Sequence, residues 1–217
     1  MSAEVELGAD DADLAVPVWA GFGDLMSVLL GAFMLILVGA IGMQLLLAHR
    51  LDEEVRQREA ETQRLRTLEQ ALAGPLAAGR VTLVDGRIGI RGSVLFALNS
   101  DRLQPEGREV IASLAGPLAE YLGARQEILM VSGFTDDRPI HEGNRRYADN
   151  WELSAQRALT VTRALIEAGL PASSVFAAAF GAEQPVGPND DEAGRARNRR
   201  VEIAPVPRPS PTPADAR

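Results

Sequence analysis

The chain has 217 residues, room for one ordinary globular domain of about 120 to 150 residues with attachments. Its formal net charge of -8 argues against a nucleic-acid partner, which would call for a basic face to displace counterions from phosphate. Cysteine is absent, which excludes a disulfide framework, a thiolate metal site, a cysteine nucleophile and a lipidated N-terminal cysteine.

Residues 1–18 form an acidic tail carrying Glu4, Glu6, Asp10, Asp11 and Asp13 and no basic residue. A cleaved signal peptide has a basic first region and a shorter apolar stretch, so the apolar segment that follows reads as a retained transmembrane helix, residues 19–48. From Leu25 to Ala48 only Ser27 and Gln44 are clearly polar, and about 20 such residues suffice to cross a bilayer core. Trp19 stands at the headgroup level, and Asp24 lies just inside the start of the span. At 100° per residue Gly31 and Gly42 fall within about 20° of Asp24, placing an acidic group and two small residues on one stripe where another helix can approach. Two roles fit Asp24 from position alone: a carboxylate that carries protons beside a partner, or a helix-terminal charge favoured by the macrodipole. The arginines after the span (Arg50, Arg56, Arg58, Arg64, Arg66) would, by the positive-inside rule, put the C-terminal part in the cytoplasm.

Residues 49–79 read as a helical linker, charged and rich in helix formers as far as Ala73 and stopped at Gly74-Pro75. A heptad through Leu51, Val55, Arg58, Thr62, Leu65, Glu69 and Leu72 is apolar at four of its seven places, a poor coiled-coil seam. The globular domain, residues 80–204, opens with Val81, Leu83, Ile88 and Ile90 alternating about Asp85-Gly86, the pattern of a hairpin with a tight primed turn. A helix is expected from Pro105 to Gly123 with Ile111, Leu114, Leu118 and Leu122 on its apolar face. Further expectations are a strand at 127–132, a helix at 154–168, strands at 175–180 and 201–204, and an unfolded proline-rich tail at 205–217. The fold class is α+β: one N-terminal transmembrane helix, a helical stalk, then an α/β sandwich.

Three ordered motifs stand in the second half: Gly133-Phe134-Thr135-Asp136; Asn150-Trp151-Glu152-Leu153-Ser154 with Arg157-Ala158; and Gly194-Arg195-Ala196-Arg197-Asn198-Arg199-Arg200-Val201-Glu202-Ile203. In these the chain resembles the OmpA C-terminal family from about Val94 to Ile203, with Phe96, Leu103, Pro105 and Gly107 matching its first loop and helix. The resemblance implies a βαβαβ-type domain that binds the peptide stem of peptidoglycan. In the family the Asp of the first motif and the Arg of the second hold diaminopimelate, roles that fall on Asp136 and Arg157. Such a pair suits a zwitterion, because each sign finds its opposite through charge-assisted hydrogen bonds. Thr135, Asn150 and Leu153 stand beside them in the motifs, and Arg197, Asn198 and Arg200 are expected to line the other side.

Rival chemistries are weaker. Asp136-Asp137 as a glycosidase pair conflicts with the opposite directions of strand neighbours. His49 and His141 have no companion at ligand spacing, so no metal site is expected. The Arg195–Arg200 run sits in an acidic chain and matches the family signature.

Trp19, Phe22, Asp24, Leu25 and Met26 at the start of the span, with Asn150-Trp151-Glu152-Leu153-Ser154-Ala155 and Thr135-Asp136-Asp137-x-Pro139-Ile140, narrow the resemblance to the MotB group. This implies a subunit of an ion-driven stator, not an enzyme, that needs no cofactor beyond the H⁺ or Na⁺ that Asp24 would carry. It implies a homodimer with a multi-span MotA-like partner, five copies to two, in the inner membrane with the C-terminal domain periplasmic. The acidic tail and short stalk depart from flagellar MotB, and the B subunit of Zorya anti-phage systems, whose partner is Zorya A-like, shares the same architecture. A passive tether between membrane and wall is the alternative.

Overall fold

The computed structural model describes residues 10–97, 100–123, 125–140 and 146–209, with side chains from Phe22 onward in the first helix. The acidic residues before Asp10, the side chain of Trp19, His141 and the end of the proline-rich tail lie outside the described residues. The chain divides into two units, Met1–Glu61 and Thr62–Arg217.

The first unit is most of helix α1, Asp10–Ala71. From Phe22 onward it is long and apolar enough to cross a membrane, and none of its most apolar stretch is buried within the protein. Leu35 is 76% exposed and Ile36 71%. A helix apolar on every side is stable only when something else surrounds it, so the core helix of a soluble fold is excluded. Farther along, Arg56–Asp52 and Arg58–Glu54 pair one turn apart at 3.5 and 2.6 Å on an exposed surface. Such pairs contribute only about 0.3 to 0.5 kcal/mol each, the signature of a solvated helix.

The second unit begins with the end of α1, where the helix changes character. Leu68 and Leu72 are buried at 1% and 0% exposure in the domain core, each worth about 1.5 to 3 kcal/mol of burial. Arg64 clamps the same turns, pairing through Nε with Glu127 at 2.7 Å and donating through Nη2 to the Pro205 carbonyl at 2.8 Å. Leu72, the last place of the heptad, and Leu68, outside it, therefore serve the core of their own chain, while Leu51, Val55 and Leu65 remain exposed. The linker read over 49–79 contributes its second half to the domain. Helix α2, Ala73–Ala77, is one turn through Gly74-Pro75.

Strands β1 (Thr82–Val84) and β2 (Arg87–Arg91) form the expected hairpin. Asp85 and Gly86 have φ of 50° and 73°, the two positive values a primed turn demands. A short helix α3, Gly92–Leu95, leads to α4, Pro105–Gly123, which spans the residues its sequence pattern delimits. Then come β3 (Glu127–Phe134), α5 (Asn150–Glu167), β4 (Val175–Gly181), α6 (Glu192–Asn198) and β5 (Arg200–Pro207). The sheet order is β1-β2-β5-β3-β4, parallel only between β3 and β4, where α5 makes the crossover. Helices α4 and α5 pack with Leu129, Val131, Val201 and Ile203 in one core.

Element ends differ from the sequence expectation for physical reasons. Helix α5 starts at Asn150, ahead of the expected Ser154, because Asp149 caps it by accepting from the Glu152 backbone N–H at 2.9 Å. Glu152 returns the bond to the Ala148 N–H at 2.7 Å, a reciprocal cap. Strand β5 runs through Pro205 and Pro207, where a proline-rich tail is expected. Its pairing with β2 ends at Ile203, so beyond that point β5 is an edge and needs donors on one side only.

Candidate functional site

Three motif segments meet where β3 ends. Gly133 faces α5 so closely that a β-carbon there would stand 2.1 Å from the Ser154 carbonyl oxygen, so only glycine lets this helix lie on this strand. The chain then leaves the strand at Thr135, whose N–H donates to the Gly181 carbonyl at 2.8 Å. Asn150, the first residue of α5, donates through Nδ2 to the carbonyls of Asp136 (3.2 Å) and Arg138 (3.0 Å). The loop carrying Asp136 is thus tied to the helix carrying Arg157.

Asp136 is only 8% exposed, and its carboxylate accepts a hydrogen bond from Arg199 Nη1. Arg199 follows α6 and also donates through Nη2 to Glu192, which in turn accepts from Arg195 Nε at 3.2 Å and lies 3.8 Å from Arg138 Nη2. Burial pulls the Arg199 pKa down, but its bonds to Glu192 and Asp136 outweigh that and raise it. Arg199, then Arg195, hold the exposed Glu192 carboxyl below its ordinary 4.5.

Arg157 is 5% exposed. Its Nε donates to the Ser100 carbonyl at 2.9 Å, and its guanidinium lies 5.2 Å from the centre of the Phe96 ring. Burial lowers its pKa, with Tyr147, then Asp136 and Asp101, partly offsetting this, yet a guanidinium stays charged. Among the described residues no carboxylate stands within ion-pair distance of it. Tyr147 donates to Asp101 at 2.7 Å, and burial followed by this bond raises the phenol pKa. Thr135 is 4% exposed, and its hydroxyl has no hydrogen-bond partner among the described residues.

The site residues named from sequence thus separate. Asp136, Thr135, Asn150 and Arg157 come together. Leu153 is buried and gives its N–H to the Asp149 carbonyl, so it anchors the helix. Asn198, fully buried, accepts from the N–H groups of Val186 and Gly187 at 2.8 and 2.9 Å and donates to Gly187 O and Asn189 Oδ1, so it holds a loop. Arg200 lies 3.8 Å over the Phe134 ring and pairs with Glu202 at 2.6 Å. Together with Arg197 it lines a cleft of about 810 Å³ against β1 and β2 that contains neither Asp136 nor Arg157. Arg199 and Glu192 are the site residues that sequence reasoning missed. Arg199 stands inside the third motif, but nothing in a run of arginines says which one reaches Asp136. Asp137 is exposed while Asp136 is buried and paired, an arrangement unlike two carboxylates facing across a sugar.

A model of the OmpA family matches residues 95–199. The outer-membrane lipoprotein YfiB of Pseudomonas aeruginosa is 36% identical over 115 residues, 53% of this chain and 63% of that protein. Motility protein B of Bacillus subtilis is 40% identical over 81 residues, 37% of this chain and 30% of that protein. The chain thus spans less than two thirds of the length of these curated relatives. Among solved structures, a putative MotB like protein from Desulfovibrio vulgaris matches with a TM-score of 0.59 and 32% identity, covering 69% of this chain and 96% of that one. With its motif residues gathered at the end of β3 and this likeness over nearly the whole of a solved relative, the chain belongs to the OmpA family as a MotB-like member.

Proposed function

We propose that the chain is the wall-anchored, ion-carrying subunit of an ion-driven stator. The observation that carries the wall-binding half is the buried Arg157 cation with no ion pair among the described residues. A buried charge is stable when it is paired, and a ligand carboxylate would pair it while Asp136 receives a ligand ammonium. The diaminopimelate of a peptidoglycan stem offers both groups. In a sedimentation assay with peptidoglycan, Arg157→Ala and Asp136→Ala should each abolish binding; retention by both would refute the site.

The ion-carrying half rests on Asp24 at the start of an exposed apolar helix. Binding H⁺ or Na⁺ there would neutralise the carboxylate and loosen its hold on partner helices, and release would restore it. Two such chains would stand inside five copies of a multi-span MotA-like partner in the inner membrane, with the domain periplasmic. Wall attachment then holds the axis against which the partner ring turns. The short segment between span and domain favours anti-phage defence of the Zorya type over flagellar rotation.

A passive tether is the second reading, supported by the match to an outer-membrane lipoprotein. Asp24→Asn separates the two. Loss of phage protection or motility with wall binding intact supports the stator, and unchanged function leaves the tether. A C-terminal reporter fusion tests the orientation against the arginines that follow the span.

A further inference from the structure

The cleft that Arg197 and Arg200 line, about 810 Å³ in volume, has no role in wall binding or ion carriage as described above. Its floor is the face of the sheet turned away from α4 and α5. Ile88 and Ile90 of β2 are buried in the core, so the alternate residues Arg87, Gly89 and Arg91 face the other way, with Glu202 opposite Gly89 and Arg200 opposite Arg91 on β5. One wall is the loop at residues 184–186, and it is fixed. Arg200 donates to the Gln184 carbonyl at 3.2 Å, and Asn198 Oδ1 accepts from the Val186 N–H at 2.8 Å. On the other side the cleft reaches β1, the end strand of the sheet, which pairs with β2 alone.

Five arginines and two carboxylates line this cleft, in a chain of net charge -8. Glu202 is shared, accepting from Arg200 at 2.6 Å and from Arg87 at 3.4 Å. Arg80, Arg91 and Arg197 are exposed and make no ion pair among the described residues. Cations gathered on the walls of a concave surface focus a positive potential into it, which attracts an anionic ligand. Apolar side chains stand among them: Val84 is 64% exposed and Val186 58%. The volume falls in the range of whole ligand pockets, about 300 to 1000 Å³, far more than a single inorganic ion fills. A peptide meets all of these features at once, with carboxylates for guanidinium forks, apolar side chains for the two valines, and backbone groups for the free edge of β1. We infer that the cleft docks a short acidic segment of another protein, with its carboxylates on Arg80, Arg91 and Arg197. The docking is independent of both wall binding and ion carriage, since none of Asp136, Arg157 and Asp24 lines the cleft.

The probe is a capped, labelled hexapeptide of alternating Glu and Val, titrated by fluorescence anisotropy into the full chain in detergent. Wild type should bind it about tenfold more tightly than the Gln-Val isostere, the combined size of a few exposed ion pairs. Arg80→Glu with Arg91→Glu should remove that preference and leave sedimentation with peptidoglycan and the thermal midpoint unchanged. Equal affinity of wild type for the two peptides, or undiminished binding by the charge-reversed chain, would overturn the docking site and leave the arginines as guards of a short strand edge. Equal affinity for a Glu-Ser peptide would overturn the peptide in favour of a plain polyanion. Loss of peptidoglycan sedimentation by the charge-reversed chain would join the cleft to the wall site and overturn it as a separate one. A lower oligomeric mass of the charge-reversed chain without peptide would place a second copy of this chain in the cleft and overturn the separate partner.

Discussion

The Asp136 carboxylate is held by Arg199, while Arg157 turns its Nε to the carbonyl of Ser100 at 2.9 Å. The site therefore has one carboxylate paired with an arginine and one buried cation with no carboxylate partner among the described residues. Arg199 links Asp136 to Glu192, so that α6 and the end of β3 are positioned as one piece.

This makes Arg199 a positioning residue. Arg199→Ala should weaken peptidoglycan binding about tenfold, since a hydrogen bond to a charged group contributes roughly 1.5 to 3 kcal/mol. Arg199→Lys should recover only part of the loss, because a lysine lacks the fork that reaches both Asp136 and Glu192. Sedimentation at graded wall concentration reads both variants.

The same bridge gives a pH dependence. Glu192, held below its ordinary 4.5, contributes its full share above that value and loses it as pH falls through the lowered folded value. Wild-type binding should therefore weaken on acidification below the ordinary carboxylate range. Glu192→Gln should be weaker at neutral pH and show a shallower acid decline. Parallel curves for the two proteins would discard the bridge.

Gly133 and Ser154 test the packing of motif on motif. Gly133→Ala forces the Ser154 backbone to move and should cost at least about 1 to 3 kcal/mol, the usual range for overpacking. Thermal unfolding of the domain within the full chain measures it, and an unchanged midpoint would show that α5 does not rest on this strand.

Asn198 holds the loop at residues 186–189. Asn198→Ala removes a buried set of hydrogen bonds around residues 186–189 and should destabilise the domain by about 1 to 3 kcal/mol. Wall binding by the molecules that remain folded should match wild type.

The end of α1 is core. Leu72→Ala should cost about 2 to 5 kcal/mol in denaturant unfolding. Leu51→Ala, exposed on the same helix, should shift stability by no more than about 0.5 kcal/mol.

The sequence by itself determined the features that depend on neighbours in the chain. An apolar run of sufficient length makes the span, Asp85-Gly86 makes the primed turn, and Pro105 and Gly123 delimit α4. Motif order named Asp136 and Arg157. What only the tertiary structure decided are the partnerships between residues far apart in the chain. Leu72 fits the heptad as well as a core, and the fold assigns it, with Leu68, to the core, beside the turns where Arg64 meets Glu127 and Pro205. Pro205 and Pro207 continue a strand because β2 has already ended beside them. Among the arginines of the third motif, backbone direction alone sends Arg199 to Asp136 and Arg200 across Phe134. Periodicity reports which face a residue takes, whereas the identity of its partner depends on where the rest of the chain has folded.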